Sequence, residues 1–146
     1  MFTNFPEDAQ YLSRKDPHQL LGTCSRHAID LDGSSWPSVE HYLHGMKFKQ
    51  PGLRVRISEA SKPAVAARIA LMNVLRRRRD WKNICRTVMT RGMYTKCRTW
   101  PEVAQALLDT GDRMLVENDA YDSYWGCGRD LRGHNYFGQV LMNVRE

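Results

Sequence analysis

The chain has 146 residues, a length typical of one domain that can bury a core without disulfides or a metal. Its content of 42% hydrophobic and 26% charged residues excludes a disordered chain. The formal net charge of +6 favours polyanionic or phosphorylated ligands. Because no apolar run approaches a membrane span and no signal peptide is recognisable, the sequence predicts a cytoplasmic protein without a membrane partner.

The cysteines and the overall organisation add two further expectations. None of the four cysteines belongs to a C-x-x-C pair, so the sequence predicts free thiols rather than a zinc ribbon or a dithiol redox motif. No repeat, linker or low-complexity tract interrupts the chain, which predicts a single domain over residues 1–146.

The first predicted elements are a short strand and a helix. Residues 26–32 alternate weakly and run into Gly33, which indicates a strand followed by a turn. Ser38 then provides a helix cap, and apolar residues recur at helical spacing from residue 39 to residue 49.

Three more helices are predicted in the middle of the chain. Pro63 opens a run of strong helix formers. Asp80 is expected to cap a long amphipathic helix over residues 81–96. Thr99 and Glu102 have the spacing of a capping box in front of a third, shorter helix.

The last third of the chain predicts a strand over residues 114–117, a glycine-rich loop over residues 126–133 and a closing helix over residues 135–144, capped by Asn135. Helices therefore outnumber strands. The fold class predicted from these elements is mainly helical α+β.

A run of four arginines at residues 76–79 supplies much of the positive charge. Its simplest interpretation is a solvated helix end, where cations also favour the helix dipole. A phosphate-binding role for one or two of the four is the alternative.

Residues 36–48 carry more polar and aromatic side chains than packing requires. Glu40 and Lys47 share one helix face, where a carboxylate and an amine could converge on one cleft. From this segment alone, the favoured alternative is that both are exposed surface residues bridged through His44.

The second unusual segment begins at Asp122. Four glycines in the 13 residues 126–138 indicate unusual backbone geometry or a close ligand. Backbone N–H groups of such a loop can bind phosphate, with Arg129 or Arg132 adding charge. Trp125 could stack on a flat base while the Asp122 carboxylate stabilises a developing cation on a sugar.

Several separated motifs carry a family resemblance. They are F-T-N-F at 2–5, D-G at 32–33, W-P-S-x-E-H-Y at 36–42, K-F at 47–48, D-W at 80–81, V-M at 88–89, L-V-E at 115–117, D-x-x-W-G-x-G at 122–128, G-x-N-x-x-G at 133–138 and L-M-x-V-R at 141–145. In this order and combination they resemble the YbiA-like proteins, also called NADAR domains. The resemblance implies a compact, mainly helical α+β domain with a small N-terminal antiparallel sheet.

The resemblance also implies an enzyme that hydrolyses a ribose C1–N bond. Family members act on ADP-ribosylated guanine in nucleic acid or on ribosylamino-pyrimidine intermediates of riboflavin synthesis, so such a riboside or modified nucleic acid is the expected partner. No metal or organic cofactor is implied. The sequence predicts no oligomeric state.

Roles can be assigned to individual positions within this resemblance. Asp122 is expected to stabilise the sugar cation, and Glu40 to act as general acid or base. Lys47 is a third catalytic candidate, either as a Schiff-base nucleophile or as a positioning residue. The expected substrate-binding residues are Trp81, Trp125, Asn4, Gly126, Gly128, Arg129 and Asn135.

Departures from the family pattern leave the substrate open. Thr3 replaces the usual serine, residues 6–26 diverge, and residues 43–46 replace a segment commonly rich in Gln and Ala. Two other function classes remain as alternatives. One is a non-catalytic module that binds ADP-ribose or a nucleotide, and the other is a basic protein that binds unmodified DNA in a salt-dependent manner.

Overall fold

The computed structural model describes residues 5–146. Asn4, a predicted substrate-binding residue, and the other motif residues before Phe5 therefore lie outside the described residues. The elements in chain order are β1 (Gln10–Leu12), β2 (Ile29–Leu31), β3 (Ser34–Trp36), α1 (Val39–Gly45), α2 (Pro51–Ser58), α3 (Pro63–Met72), a 3-10 turn (Val74–Arg76), α4 (Trp81–Thr99), α5 (Pro101–Leu108), β4 (Leu115–Glu117) and α6 (Tyr136–Arg145). The predicted mainly helical α+β class is confirmed.

Two small sheets accompany the helices. The hairpin of β2 and β3 pairs Ile29 with Trp36 and turns at Gly33, whose φ of 78° favours glycine. This is the small antiparallel sheet expected in the N-terminal half. The second sheet pairs β1 with β4 in parallel, with Leu12 opposite Glu117. The sequence predicted β4 but not β1, which lies in the divergent segment 6–26.

Helix α1 is the centre of the core. All seven of its residues are buried, and the helix packs against α2, α3 and α4. Its predicted cap is confirmed, because the Ser38 hydroxyl accepts a hydrogen bond from the His41 N–H at 3.2 Å. The helix ends at Gly45, four residues before the predicted end, and α2 begins soon afterwards at Pro51. A proline in a first turn was the available signal for α2, which the sequence analysis missed.

Helix α4 begins at Trp81 as predicted, but two of the predicted side-chain caps, at Asp80 and at Thr99, are not formed. Asp80 does not cap α4, because its carboxylate accepts hydrogen bonds from the Arg78 guanidinium at 2.7 and 3.1 Å instead. Thr99 is still the last residue of α4, and Trp100 occupies the N-cap position of α5 without a side-chain bond. The Thr99 hydroxyl instead donates to the Thr95 carbonyl at 2.8 Å. In both cases a side chain expected to cap the helix bonds to a group close to it in sequence.

None of the helices within residues 5–146 combines the length and the apolar character that crossing a bilayer requires.

We expect Gly45→Ala to destabilise the fold. A Cβ at this position would lie 2.4 Å from two ring carbons of Trp36, which is itself only 1% exposed and cannot move aside. Overpacking of this kind costs about 1–3 kcal/mol in the free energy of unfolding, measurable by urea denaturation. The matched control is Gly52→Ala in α2, where no atom lies within 4 Å and alanine should be neutral or slightly stabilising. Equal effects at the two positions would show that the close approach to Trp36 is not what requires glycine.

Candidate active site

The five residues singled out for catalysis and base binding that fall within residues 5–146 line one cavity. Its volume is about 840 Å³, and Glu40, Lys47, Trp81, Asp122 and Trp125 all contribute to its wall. Residues 5–146 contain no group of three His, Cys, Asp or Glu side chains that could hold a metal ion.

Helix α1 supplies one wall through residues that share a face. Glu40, His44 and Lys47 follow one another at spacings of four and three residues, which places them on one side of the helix. The carboxylate of Glu40 is only 6% exposed and lies 3.1 Å from Nε2 of His44. The interpretation of Glu40 as an exposed surface residue is therefore wrong, because α1 lies in the core rather than at the surface.

Arg14 joins the two predicted catalytic carboxylates. Its Nη1 donates to Oε1 of Glu40 at 2.5 Å, and its Nη2 lies 3.9 Å from Oδ2 of Asp122. The hydroxyl of Thr23 donates to the same Glu40 oxygen at 2.7 Å. Because the Arg14 and Glu40 side chains are only 5% and 6% exposed, this ion pair is held away from water.

These contacts keep Glu40 ionised. Burial by itself would raise the pKa of the Glu40 carboxyl, but the Arg14 charge and the hydrogen bonds from His44 and Thr23 outweigh it and hold the pKa well below its usual range. Both oxygens are also occupied by donors. Glu40 is thus a fixed anion and has no proton of its own to donate.

His44 is the titratable group next to this anion. Since Glu40 is ionised, Nε2 of His44 must carry the proton that bridges the two side chains. Its Nδ1 is buried and has no hydrogen-bond partner within the described part of the chain. Burial lowers the pKa of His44 against the opposing effect of the Glu40 charge, so the imidazole is neutral and offers an unused acceptor.

Asp122 presents a different environment. Its Oδ1 accepts hydrogen bonds from the backbone N–H groups of Tyr124 and Trp125 at 3.0 and 2.9 Å, which fixes the turn that carries Trp125. Its Oδ2 has only the distant Arg14 contact, and the side chain is 22% exposed. Asp122 is therefore the carboxylate with an oxygen available to a ligand.

Lys47 and Trp81 lie together on the cavity wall. The Lys47 ammonium lies 5.9 Å from the centre of the Trp81 ring, and within residues 5–146 it makes no ion pair. Burial lowers the pKa of Lys47, the Glu40 charge opposes this, and the Arg77 charge adds to it. A lowered pKa increases the fraction of free amine, which is the form that can act as a nucleophile.

The glycine-rich loop does not line the cavity. The N–H groups of Cys127 and Gly128 donate to the carbonyls of Glu117 and Asp119 at 2.8 and 3.2 Å, so they are not free to bind phosphate. A Cβ on Gly126 would lie 2.9 Å from the Asp122 carbonyl oxygen, which shows that the loop is packed on itself. The structure therefore gives Gly126 and Gly128 a role in shaping the Asp122 turn.

Arg129 and Asn135 also lie outside the cavity. Arg129 is exposed, with its guanidinium 5.7 Å from the centre of the Tyr121 ring. Asn135 is 1% exposed and hydrogen-bonds the backbone of β4, accepting from Glu117 N–H and donating to the Leu115 carbonyl. Its side chain therefore joins α6 to β4 and does not cap α6 as predicted.

Glu117 completes the support beneath the site. Its carboxylate accepts the backbone N–H of Arg14 at 2.5 Å and that of Asp119 at 3.1 Å. Burial raises the pKa of Glu117 to about 7, although both hydrogen bonds favour the ionised form. Through this side chain, β4 positions the backbone of Arg14 and the start of the Asp122 turn.

Three residues of the site were missed by sequence reasoning. Arg14 and Thr23 lie in the divergent segment 6–26, where no local pattern marks them. His44 did carry a signal, because it lies one helical turn after Glu40, but it was interpreted as a surface bridge.

The comparisons with known proteins agree with this architecture. The NADAR domain model matches residues 1–146. An N-glycosidase of Nostoc punctiforme is 35% identical over 89% of this chain and 85% of its own length. The N-glycosidase YbiA of Escherichia coli is 32% identical over 93% of this chain and 85% of its own length.

Two further comparisons concern a solved structure and a longer relative. The NMR structure of the E. coli protein YbiA superimposes with a TM-score of 0.82 and 29% identity, covering 96% of this chain and 84% of that chain. A riboflavin biosynthesis protein of Vibrio vulnificus is 34% identical over 99% of this chain, which spans 40% of that protein.

We expect Glu40→Gln to lower stability, because it leaves the buried Arg14 guanidinium without its counter-charge. Breaking a buried ion pair from one side costs about 3–5 kcal/mol. In a double-mutant cycle with Arg14→Met, measured by urea denaturation, the coupling energy should be about 1–3 kcal/mol. Asp122→Asn is the control, because its more exposed side chain lies farther from Arg14. A Glu40→Gln variant that unfolds like the wild type would contradict this account of the pair.

Proposed function

The chain belongs to the NADAR domain family, and from this premise we propose that its N-glycosidase activity hydrolyses the bond between C1 of a ribose and the nitrogen of a nucleobase-like group. The predicted enzyme class, a hydrolase of N-glycosyl bonds, is confirmed by the N-glycosidases among its relatives.

The arrangement of two unlike carboxylates carries this proposal. Breaking a C1–N bond produces a cation-like sugar and a nitrogen that needs a proton. Asp122 has a partly exposed oxygen that can stabilise the sugar cation, and the Glu40–His44 pair can carry the proton. Trp81 and Trp125 offer flat surfaces for the departing group.

Proton transfer is proposed to pass through His44. Water adds its oxygen to C1, the bonding electrons leave with the nitrogen, and the proton lost by water is the proton that the nitrogen gains. This proposal requires that Nδ1 of His44, which is buried in this structure, becomes accessible to the water when substrate binds. It then accepts and returns that proton, while ionised Glu40 orients the ring and stabilises its transient charge. Glu40 therefore acts through His44 in this mechanism, rather than as the general acid or base that the family resemblance implied.

Lys47 provides an alternative route. Its amine could attack C1, release the nitrogen and hold the opened sugar as a Schiff base until water hydrolyses it. The lowered pKa of Lys47 and its place on the cavity wall support this route, and they are equally compatible with a role in positioning.

Two substrate classes fit the proposal: ADP-ribosylated guanine in nucleic acid and ribosylamino-pyrimidine phosphates. The similarity to the riboflavin biosynthesis protein of V. vulnificus favours the ribosylamino-pyrimidine phosphates. The positive net charge favours ADP-ribosylated nucleic acid. Direct comparison separates them. The purified protein should release product from at least one of the two substrates. The product, either the free base or the unmodified DNA, is measured by chromatography. A folded protein that binds ADP-ribose and turns over neither substrate would instead be a non-catalytic binding module.

Three variants should separate chemistry from binding. We expect Asp122→Asn and His44→Gln each to lower kcat by roughly two orders of magnitude, the scale of general acid–base effects, with little change in substrate affinity. Gln at position 44 can still donate to Glu40, so the loss would follow from the missing titratable nitrogen. Trp125→Ala should instead weaken binding by about 1–3 kcal/mol. Normal turnover by folded Asp122→Asn and His44→Gln variants would remove both roles.

Borohydride reduction during turnover tests the covalent route. If Lys47 forms a Schiff base, mass spectrometry should find a reduced sugar adduct on this residue, and Lys47→Arg should be inactive. Direct hydrolysis predicts no adduct and a Lys47→Arg variant that retains measurable kcat with an altered KM. The control is Lys82→Arg, because Lys82 is exposed. Lys96 is not suitable, since it is buried and its ammonium donates to Leu20, Gly22 and Ser25.

A further inference from the structure

A second, strongly basic cavity adjoins the active site. It has a volume of about 430 Å³, and its wall consists of Lys49, Gln50, the four arginines 76–79 and Asp80. We call the five cationic members, Lys49 and the four arginines, the arginine cluster.

The charge of the arginine cluster is largely unbalanced. Arg78 is paired with Asp80 through two hydrogen bonds, at 2.7 and 3.1 Å, which neutralises both. Lys49, Arg76 and Arg79 are exposed and make no ion pair within residues 5–146. Like charges held side by side at the edge of a cavity attract a polyanion.

The cluster and the active site share a wall. The Arg78 N–H donates to the Lys47 carbonyl at 2.8 Å, and Lys47 lines the active-site cavity. Asp80 lines the basic cavity while its neighbour Trp81 lines the active site. Residues 47 and 78–81 therefore connect the walls of the two cavities, so that a ligand larger than a single nucleoside could contact both.

We propose that the arginine cluster binds the phosphodiester backbone of a nucleic acid next to the base in the active site. This inference rests on the proposed function and narrows it to a polymeric substrate. Arginine suits this task because its planar fork of N–H donors matches phosphate oxygens. The interpretation of residues 76–79 as a merely solvated helix end does not explain why all four line a cavity that adjoins the active site.

An anionic membrane is the competing occupant. Leu71, Met72 and Leu75 are 73%, 77% and 99% exposed close to the cluster in sequence. These apolar side chains do not line the basic cavity, whereas the cations do. The continuity with the active site therefore favours nucleic acid, and vesicle binding becomes an outcome of the test.

The test uses the intact protein and a fluorescein-labelled, unmodified single-stranded DNA, with affinity followed by anisotropy over a range of salt. The variant replaces Lys49, Arg76 and Arg79 with Gln, which leaves Arg77 and the Arg78–Asp80 pair in place. The matched control replaces Arg56, Arg68 and Arg98 with Gln, removing the same charge from exposed positions that line neither cavity. Log affinity falls as log salt rises, and we expect the steepness of this fall to decrease by about two to three in the cluster variant. The control variant should change it much less.

Equal losses in the two variants, or no loss in either, would overturn the proposal. So would binding to phosphatidylserine vesicles that depends on the cluster while DNA binding does not. Turnover of a small ribosylated substrate is measured in parallel. DNA binding through the cluster without any turnover would refute the proposed function alone, and turnover with cluster-independent DNA binding would refute this inference alone.

Discussion

The buried Arg14–Glu40 ion pair is the interaction on which the rest of the site depends. A guanidinium removed from water costs several kcal/mol unless its charge and donors are matched, so Arg14 constrains every segment that it touches. It reaches Glu40 on α1 and approaches Asp122, while its own backbone is held by Glu117 of β4. Through its side chain and its backbone N–H, this one residue thus ties together three segments that are far apart in the chain. Since α1 lies in the core, its position is fixed by packing as well, and Glu40 cannot leave Arg14 without unpacking the helix.

The two carboxylates near Arg14 have the same chemistry but lie in different environments. Glu40 is surrounded by donors, and the balance of the Arg14 charge and hydrogen bonds against burial keeps it ionised. Asp122 has one oxygen committed to its own turn and the other partly exposed to the cavity. Different environments give different roles to like groups, as in other enzymes that cleave glycosidic bonds with paired carboxylates. In the proposed mechanism this difference also assigns proton transfer to His44, because it is the titratable group that contacts Glu40.

The glycine-rich segment contributes shape rather than contact with a ligand. Gly126 packs against the Asp122 carbonyl, and the side chain of Asn135 holds the backbone of β4. The buried start of this loop, residues 126–128, must satisfy its N–H and C=O groups within the protein, and it does so by bonding to neighbouring loop residues and to β4. The proposed phosphate contacts are therefore assigned to cations outside the loop, and the arginine cluster forms the strongly basic cavity wall beside the site.

The sequence by itself determined the features that depend on near neighbours: the Ser38 cap, the apolar spacing of α1 and α4, the strand β4 and the helical character of the whole. The motif positions of Glu40 and Asp122 also placed both carboxylates in one cavity. Tertiary structure alone decided which charges are buried and what they contact. The pairing of β1 with β4 joins residues more than a hundred positions apart, and Arg14 meets Glu40 only because that pairing brings it there. Local propensity cannot encode such contacts, since their energy comes from desolvation and packing that exist only when distant segments meet.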